Sequence, residues 1–195
     1  MLQYGSISAV LITLRQKRLR LAGTRQKPAV EAFTLTRNDW VPNNERLPVL
    51  LYKAAVKPRG DDPAAACEDT FRANGWPPRQ RNGVFAFQHY HSAAHEVLGV
   101  ARGKARLMLG GENGREVTIR AGDAVVLPAG TGHCEIAASA DLLTVSACPP
   151  DQHCDVCHVW PSEQARHRMA RLPFPPSDPV IGVGGPLVQL WQVAQ

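Results

Sequence analysis

From residue 84 to residue 148 the chain is a run of short segments of strand-like pattern, broken by glycine turns about every 8 to 12 residues. VFAFQHYH is followed by EVLGVA, the turn Arg102-Gly103, KARLML, the loop GGENG, REVTIR, the turn AGD, AVVL, the loop PAGTG, HCEIA, the turn ASAD and LLTVSAC. Such segments are too short to bury a face alone, and their regular spacing restricts this part of the chain to a β-sandwich or barrel. Side chains alternate along a strand, so Ala105, Leu107 and Leu109 share one face of KARLML, and Val117 and Ile119 share one face of REVTIR. Those faces are expected to meet in the core.

The flanks differ. Residues 31–58 alternate apolar and polar groups loosely, with residues 47–54 as the expected strand and Asn43-Asn44 as a turn. DDPAAACEDTFRANGWPP predicts a helix: Asp61 or Asp62 caps it, Pro63 suits its first turn, and Gly75 followed by Pro77 stops it. Beyond Pro149 the chain is proline-rich and is expected to cross the body in extended segments, with one short helix near residues 162–170. At 195 residues the length suits one domain with extensions. That domain is expected over residues 31–195, with a barrel core at about residues 82–150.

The formal charge of +5 invites a nucleic-acid reading, but its placement argues against one. The first thirty residues hold Arg15, Lys17, Arg18, Arg20, Arg25 and Lys27 and no acid, while the remainder carries 16 basic and 17 acidic residues. The basic character therefore belongs to a leader over residues 1–30, expected to be poorly ordered, and the body offers no basic face for nucleic acid. The leader lacks the charge order of a secretory signal, although an Arg-rich, acid-free start also suits a transit peptide. No apolar run approaches the ~20 residues of a membrane span. Five cysteines, an odd number without a dense framework, predict a reducing, cytoplasmic setting.

Within this frame HYHSAAHE concentrates three histidines and a glutamate. His89 and His91 stand two apart in a strand-like run, so their imidazoles leave one face and can converge on a single ion. Glu96 lies five residues beyond His91, the wrong parity for an unbroken strand, so Ser92-Ala93-Ala94 must bend the chain to bring the carboxylate inward. His95 and Glu96 are neighbours and point oppositely, so only one of them is a ligand candidate. LPAGTGH supplies His133, which a tight proline and glycine loop sets at the start of the next strand.

These residues also carry a family resemblance. G-x5-H-x-H-x4-E-x6-G fits Gly83, His89, His91, Glu96 and Gly103, and G-x5-P-x-G-x2-H fits Gly122, Pro128, Gly130 and His133, in that order. The chain resembles the cupins, and HYHSAAHEVLGVARGKA, AGDAVVLPAGTGH and the closing DPV, GPL and LW are similar to the YjlB-like single-domain bacterial cupins, whose biochemical role is unassigned. The resemblance covers about residues 31–195 and departs at Ala137, where the second motif usually has Asn. It implies an all-β double-stranded β-helix, a small jelly roll with one short N-terminal helix and an extended C-terminal tail. It implies that His89, His91, Glu96 and His133 bind one divalent ion, Fe, Mn, Ni or Zn. Three imidazoles and one carboxylate leave such an ion a net positive charge and, if six-coordinate, two open positions for water, dioxygen or a chelating substrate. The expected function is a metal-dependent small-molecule enzyme of the dioxygenase or isomerase/lyase type; the alternative is a non-catalytic module that binds or senses a metal or small ligand. A homodimer is implied by the resemblance alone.

Weaker signals surround this core. Alternation from His133 places Glu135 on the same side, where it would serve as a general base or hold substrate, unless twist or a bulge carries it to solvent. His95 either orients Glu96 from behind or is an exposed strand histidine. HCDVCH holds Cys154-x-x-Cys157 flanked by His153 and His158, but a zinc site needs a second ligand pair and a thioredoxin-like site needs a βαβ context, so both cysteines are expected to be structural or incidental. Cys134 and Cys148 read as small buried hydrophobes. Trp160, Phe174 and Trp191 read as packing residues that also suit a dimer interface.

Overall fold

The computed structural model describes residues 28–193; residues 1–27, which hold nearly all of the expected leader, lie outside the described residues. The strands are β1 (Ala29–Phe33), β2 (Val49–Lys53), β3 (Pro78–Asn82), β4 (Glu96–Arg102), β5 (Lys104–Leu109), β6 (Arg115–Arg120), β7 (Ala124–Leu127), β8 (His133–Ala138) and β9 (Leu143–Ala147). Three helices join them: α1 (Pro63–Ala73), α2 (Glu163–Ala170) and α3 (Pro186–Val193). The strands form two antiparallel sheets, one of order β1-β2-β7-β4-β9-β3 and one of order β6-β5-β8.

Alternation along the strands divides the interior into two layers. Val49 and Leu51 of β2, Leu98 and Val100 of β4, and Val125 and Leu127 of β7 face Ala105, Leu107, Leu109, Val117 and Ile119 of the smaller sheet. The intervening residues Leu50, Tyr52, Val97, Val126, Val145 and Ala147 point the other way, onto Cys67 and Phe71 of α1 and Leu187 and Trp191 of α3. The larger sheet is thus covered on both faces. This is why β4 and β7 read as nearly continuous apolar runs while β5 and β6 alternate cleanly. A Cβ at Gly99 would lie 2.7 Å from Phe71 Cζ, so the missing side chain lets α1 seat directly on β4. Gly103 makes the turn into β5 at φ +73, where a Cβ would also meet Ser139 Oγ at 2.5 Å.

The predicted helices form, with Pro63 in the first turn of α1, Gly75 at φ +79 beyond its end, and Ser162 capping α2 by accepting from Ala165 N at 3.1 Å. Asp62 stands at the N-cap of α1, but its carboxylate takes Arg81 at 2.9 Å instead of a backbone N–H. Three features differ from the sequence expectation. Residues 84–88 form no regular strand; His89 and Tyr90 make single bridges, His89 to His133 and Tyr90 to Cys157. The place beside β9 goes to β3, whose charged, proline-led sequence PRQRN hid it. The tail is not extended throughout, because α3 turns Leu187 and Trp191 into the core; Trp191 is buried there, not at an interface.

One buried carboxylate anchors that tail. Asp178 accepts hydrogen bonds from Val180 N at 2.8 Å, Ile181 N at 3.0 Å and Leu187 N at 3.0 Å, and from the Tyr52 hydroxyl of β2. Trp191 Nε1 donates to Pro48 O at 3.0 Å and pins α3 to the start of β2. Among the described residues no helix is long and apolar enough to cross a membrane.

Candidate metal centre

Four side chains meet at one end of the space between the sheets. His133 opens β8, Glu96 opens β4, and His89 and His91 flank Tyr90 in the irregular segment beside β8. All four are buried. Ser92 to His95 bend the chain between His91 and Glu96, as the parity of the sequence requires. Gly130 N, in the loop before His133, donates to His91 O at 2.8 Å and draws the two halves of the site together. Asn43 braces the same loop, accepting from Gly132 N at 3.1 Å and donating to Gly110 O at 3.0 Å.

Each imidazole is held by a backbone carbonyl. His89 Nδ1 donates to Phe87 O at 3.1 Å, His133 Nδ1 donates to Thr131 O at 3.1 Å, and His91 Nδ1 donates to Asp155 O. A carbonyl only accepts, so these bonds place a proton on every Nδ1 and leave Nε2 as the coordinating atom. The three histidines present ligand atoms that all lie within 4.8 Å of one another. Glu96 Oε2 joins them, 3.2 Å from His91 Nε2 and 3.4 Å from His133 Nε2. Borderline imidazole nitrogens with one carboxylate are a donor set suited to a first-row divalent cation, and their convergence on one point fits such an ion.

The electrostatics follow from burial. It pushes His133 down to about 3, and it lowers His89, so both rings are neutral and able to ligate at neutral pH. At Glu96 burial is opposed and outweighed, foremost by the charge and hydrogen bond of His91, so the carboxylate stays ionised, below its usual range. At His91 burial is likewise outweighed, by Glu96 and by the bond to Asp155, and the ring rises to about 9. In the metal-free protein His91 therefore carries the proton that faces Glu96, in the place where a cation would bind.

Asp155 is a residue that sequence reasoning missed. Its carboxylate accepts from Ser92 N at 2.8 Å, Ala93 N at 2.9 Å and Ser92 Oγ at 2.5 Å, while its backbone carbonyl takes the His91 proton. The tail segment HCDVCH thereby clamps the bend between His91 and Glu96. The signal was its central Asp, between cysteines that drew attention to themselves.

His95 lies on the opposite face of the sheet from Glu96. It packs against Trp191 with ring centroids 4.7 Å apart, and its Nδ1 accepts from Ala129 N at 3.0 Å. At 1 % exposure it is neither a surface histidine nor hydrogen-bonded to Glu96. Glu135 pairs across from Leu107, two positions along from His133, but is only half-buried and does not line the cavity over the site. That cavity has a volume of about 300 Å3; Glu96 and the three histidines lie in it with Arg79, Ser146, Cys154, Leu98, Phe85 and Val156 among its walls.

A two-sheet antiparallel fold with three histidines and a glutamate at one end of its interior defines the class, and the comparisons agree. The chain matches the Cupin domain family model over residues 78–146. It belongs to the cupin family. It is similar to the uncharacterized protein YjlB of Bacillus subtilis (strain 168), with 33% identity over 153 residues, covering 77% of this chain and 90% of that protein. Solved structures similar to it include RmlC from Streptococcus suis in complex with dTDP-D-xylose, at 15% identity and TM-score 0.34, covering 70% of this chain and 74% of that one. They also include an oxalate decarboxylase at 18% identity and TM-score 0.32, where 65% of this chain spans only 30% of the other.

Proposed function

We propose that the protein is a metal-dependent small-molecule enzyme of the dioxygenase or isomerase/lyase type, with one divalent ion, Fe, Mn, Ni or Zn, held by His89, His91, Glu96 and His133. The observation that carries this is the convergence of three carbonyl-fixed imidazoles and one buried carboxylate in a cavity of small-molecule size. A bound divalent ion supplies Lewis acidity and coordination positions that the four side chains leave free.

The chain's own residues do the rest. The carbonyls of Phe87, Thr131 and Asp155 orient the rings, and the clamp on Ser92 and Ala93 keeps Glu96 in register with them. Leu98, Phe85 and Val156 give the cavity apolar wall, while Arg79 and Ser146 present a cationic and a hydroxyl group to a polar ligand. Glu135 lies off the cavity lining and is assigned no contact with substrate. Five free cysteines support a reducing, cytoplasmic setting.

The test is turnover of a broad metabolite panel by protein loaded with each metal in turn, under air and under nitrogen. Conversion that depends on the loaded metal supports the enzyme. A ligand recovered intact and stoichiometric from the loaded protein, with no product, would establish the non-catalytic binding module instead.

A further inference from the structure

We propose that Arg79 is the specificity-determining residue of the cavity, and that it takes the carboxylate of a small acid whose oxygen donors at the other end suit the divalent ion. The assignment rests on a metal held by His89, His91, Glu96 and His133. Pro78 of β3 pairs with Ala147 and Gln80 with Ser146, so Arg79 and Gln80 together oppose one residue of β9. This is a β-bulge, and bulges beside functional sites re-aim side chains. In an unbroken strand Arg79 would point away from Gln80. Here both line the cavity of about 300 Å3, with Ser146 and the four candidate ligands.

The guanidinium is fixed but not neutralised. Its Nε donates to Cys148 Sγ at 3.1 Å and its Nη2 to Gln152 O at 3.3 Å, and these two acceptors lie 3.5 Å apart. They occupy one edge of the planar fork. The other edge, with one N–H each from Nη1 and Nη2, has no acid paired to it among the described residues. Such an edge matches the two oxygens of a carboxylate. Arg81, two residues along the same strand, is the contrast, because Glu68 at 2.6 Å and Asp62 at 2.9 Å already satisfy it.

Charge points the same way. Among the described residues Glu96 is the one acid that lines the cavity, and its Oε2 is turned to His91 and His133. A divalent ion, Arg79 and that single carboxylate leave the cavity an excess of positive charge, which an acid with two carboxylates offsets. Arg79, Gln80 and Phe85 are exposed while the candidate ligands are buried, so the arginine stands at the mouth, where an anion from solvent meets it first.

The experiment is calorimetric titration of the full-length, zinc-loaded protein with malate and with 2-hydroxybutyrate, in which a methyl group replaces the terminal carboxylate. Malate is expected to bind at least about tenfold more tightly, the worth of one hydrogen bond between charged groups. Arg79→Gln should erase this preference with zinc content unchanged by elemental analysis. Arg79→Lys should keep part of it, and Arg81→Gln all of it. Equal binding of the two acids by the zinc-loaded parent, binding of neither, or a preference that survives Arg79→Gln would overturn the assignment while leaving the metal site intact. A parent that takes up no zinc overturns the metal site and this assignment with it. The ratio for the unmutated protein decides the question even if a variant fails to fold.

Discussion

The backbone carbonyl of Asp155 accepts the Nδ1 proton of His91, while the side chain of the same residue accepts from Ser92 N at 2.8 Å and Ala93 N at 2.9 Å. One tail residue thus fixes both the ring orientation of a candidate ligand and the bend that leads from it to Glu96. Groups behind metal-binding histidines set tautomer and aim, and their loss typically weakens metal binding about 10–100-fold. Asp155→Ala should lower affinity for a divalent ion by about that factor, read by competition with a chromophoric chelator. Unchanged affinity would confine its role to the backbone.

Removal of the donors themselves should be more severe. Protein purified without chelator is expected to hold about one equivalent of metal, and His89→Ala, His91→Ala, Glu96→Ala and His133→Ala should each weaken binding by more than about a hundredfold. His95→Gln should retain the metal, because that ring faces Trp191 and not the site. Elemental analysis of the set compares them directly.

Alkaline pH should destabilise the fold through α1. Burial, helped by the nearby Glu68 carboxylate, raises the fully buried Cys67 thiol from 9.0 to about 12. The unfolded chain gives up this proton above pH 9 and the folded chain does not, so the stabilisation is complete below pH 9 and is lost as the pH rises toward 12. Between pH 9 and 10.5 this group alone should cost roughly 2 kcal/mol in urea denaturation. Cys67→Ala should show a shallower decline; an identical slope would remove Cys67 as its source.

Asp178 should be worth more than an ordinary surface acid. Asp178→Ala orphans the N–H groups of Val180, Ile181 and Leu187 and the hydroxyl of Tyr52, and each buried unsatisfied group costs about 1–3 kcal/mol. Thermal denaturation should show a loss above about 3 kcal/mol, with Tyr52→Phe losing about half as much. Equal stability of Asp178→Ala and the parent would mean that α3 is held by Trp191 and Leu187 alone.

Much of this was legible in the chain. β5 and β6 carry their own alternation, β4 and β7 read as short apolar runs bounded by turn residues, and α1 and α2 announce themselves through Pro63, Gly75 and Ser162. The spacing of His89, His91, Glu96 and His133 picked out four side chains that the fold brings together, with the required bend between His91 and Glu96. Periodicity reports which residues share a face because that follows from backbone geometry within one segment. It does not report what the face meets. The strand pairing of β3, the burial of α3, the turn of His95 onto Trp191 and the clamp by Asp155 all depend on segments distant in sequence. Those contacts were decided by long-range packing and by the need of each buried polar group for a partner, neither of which leaves a local signature.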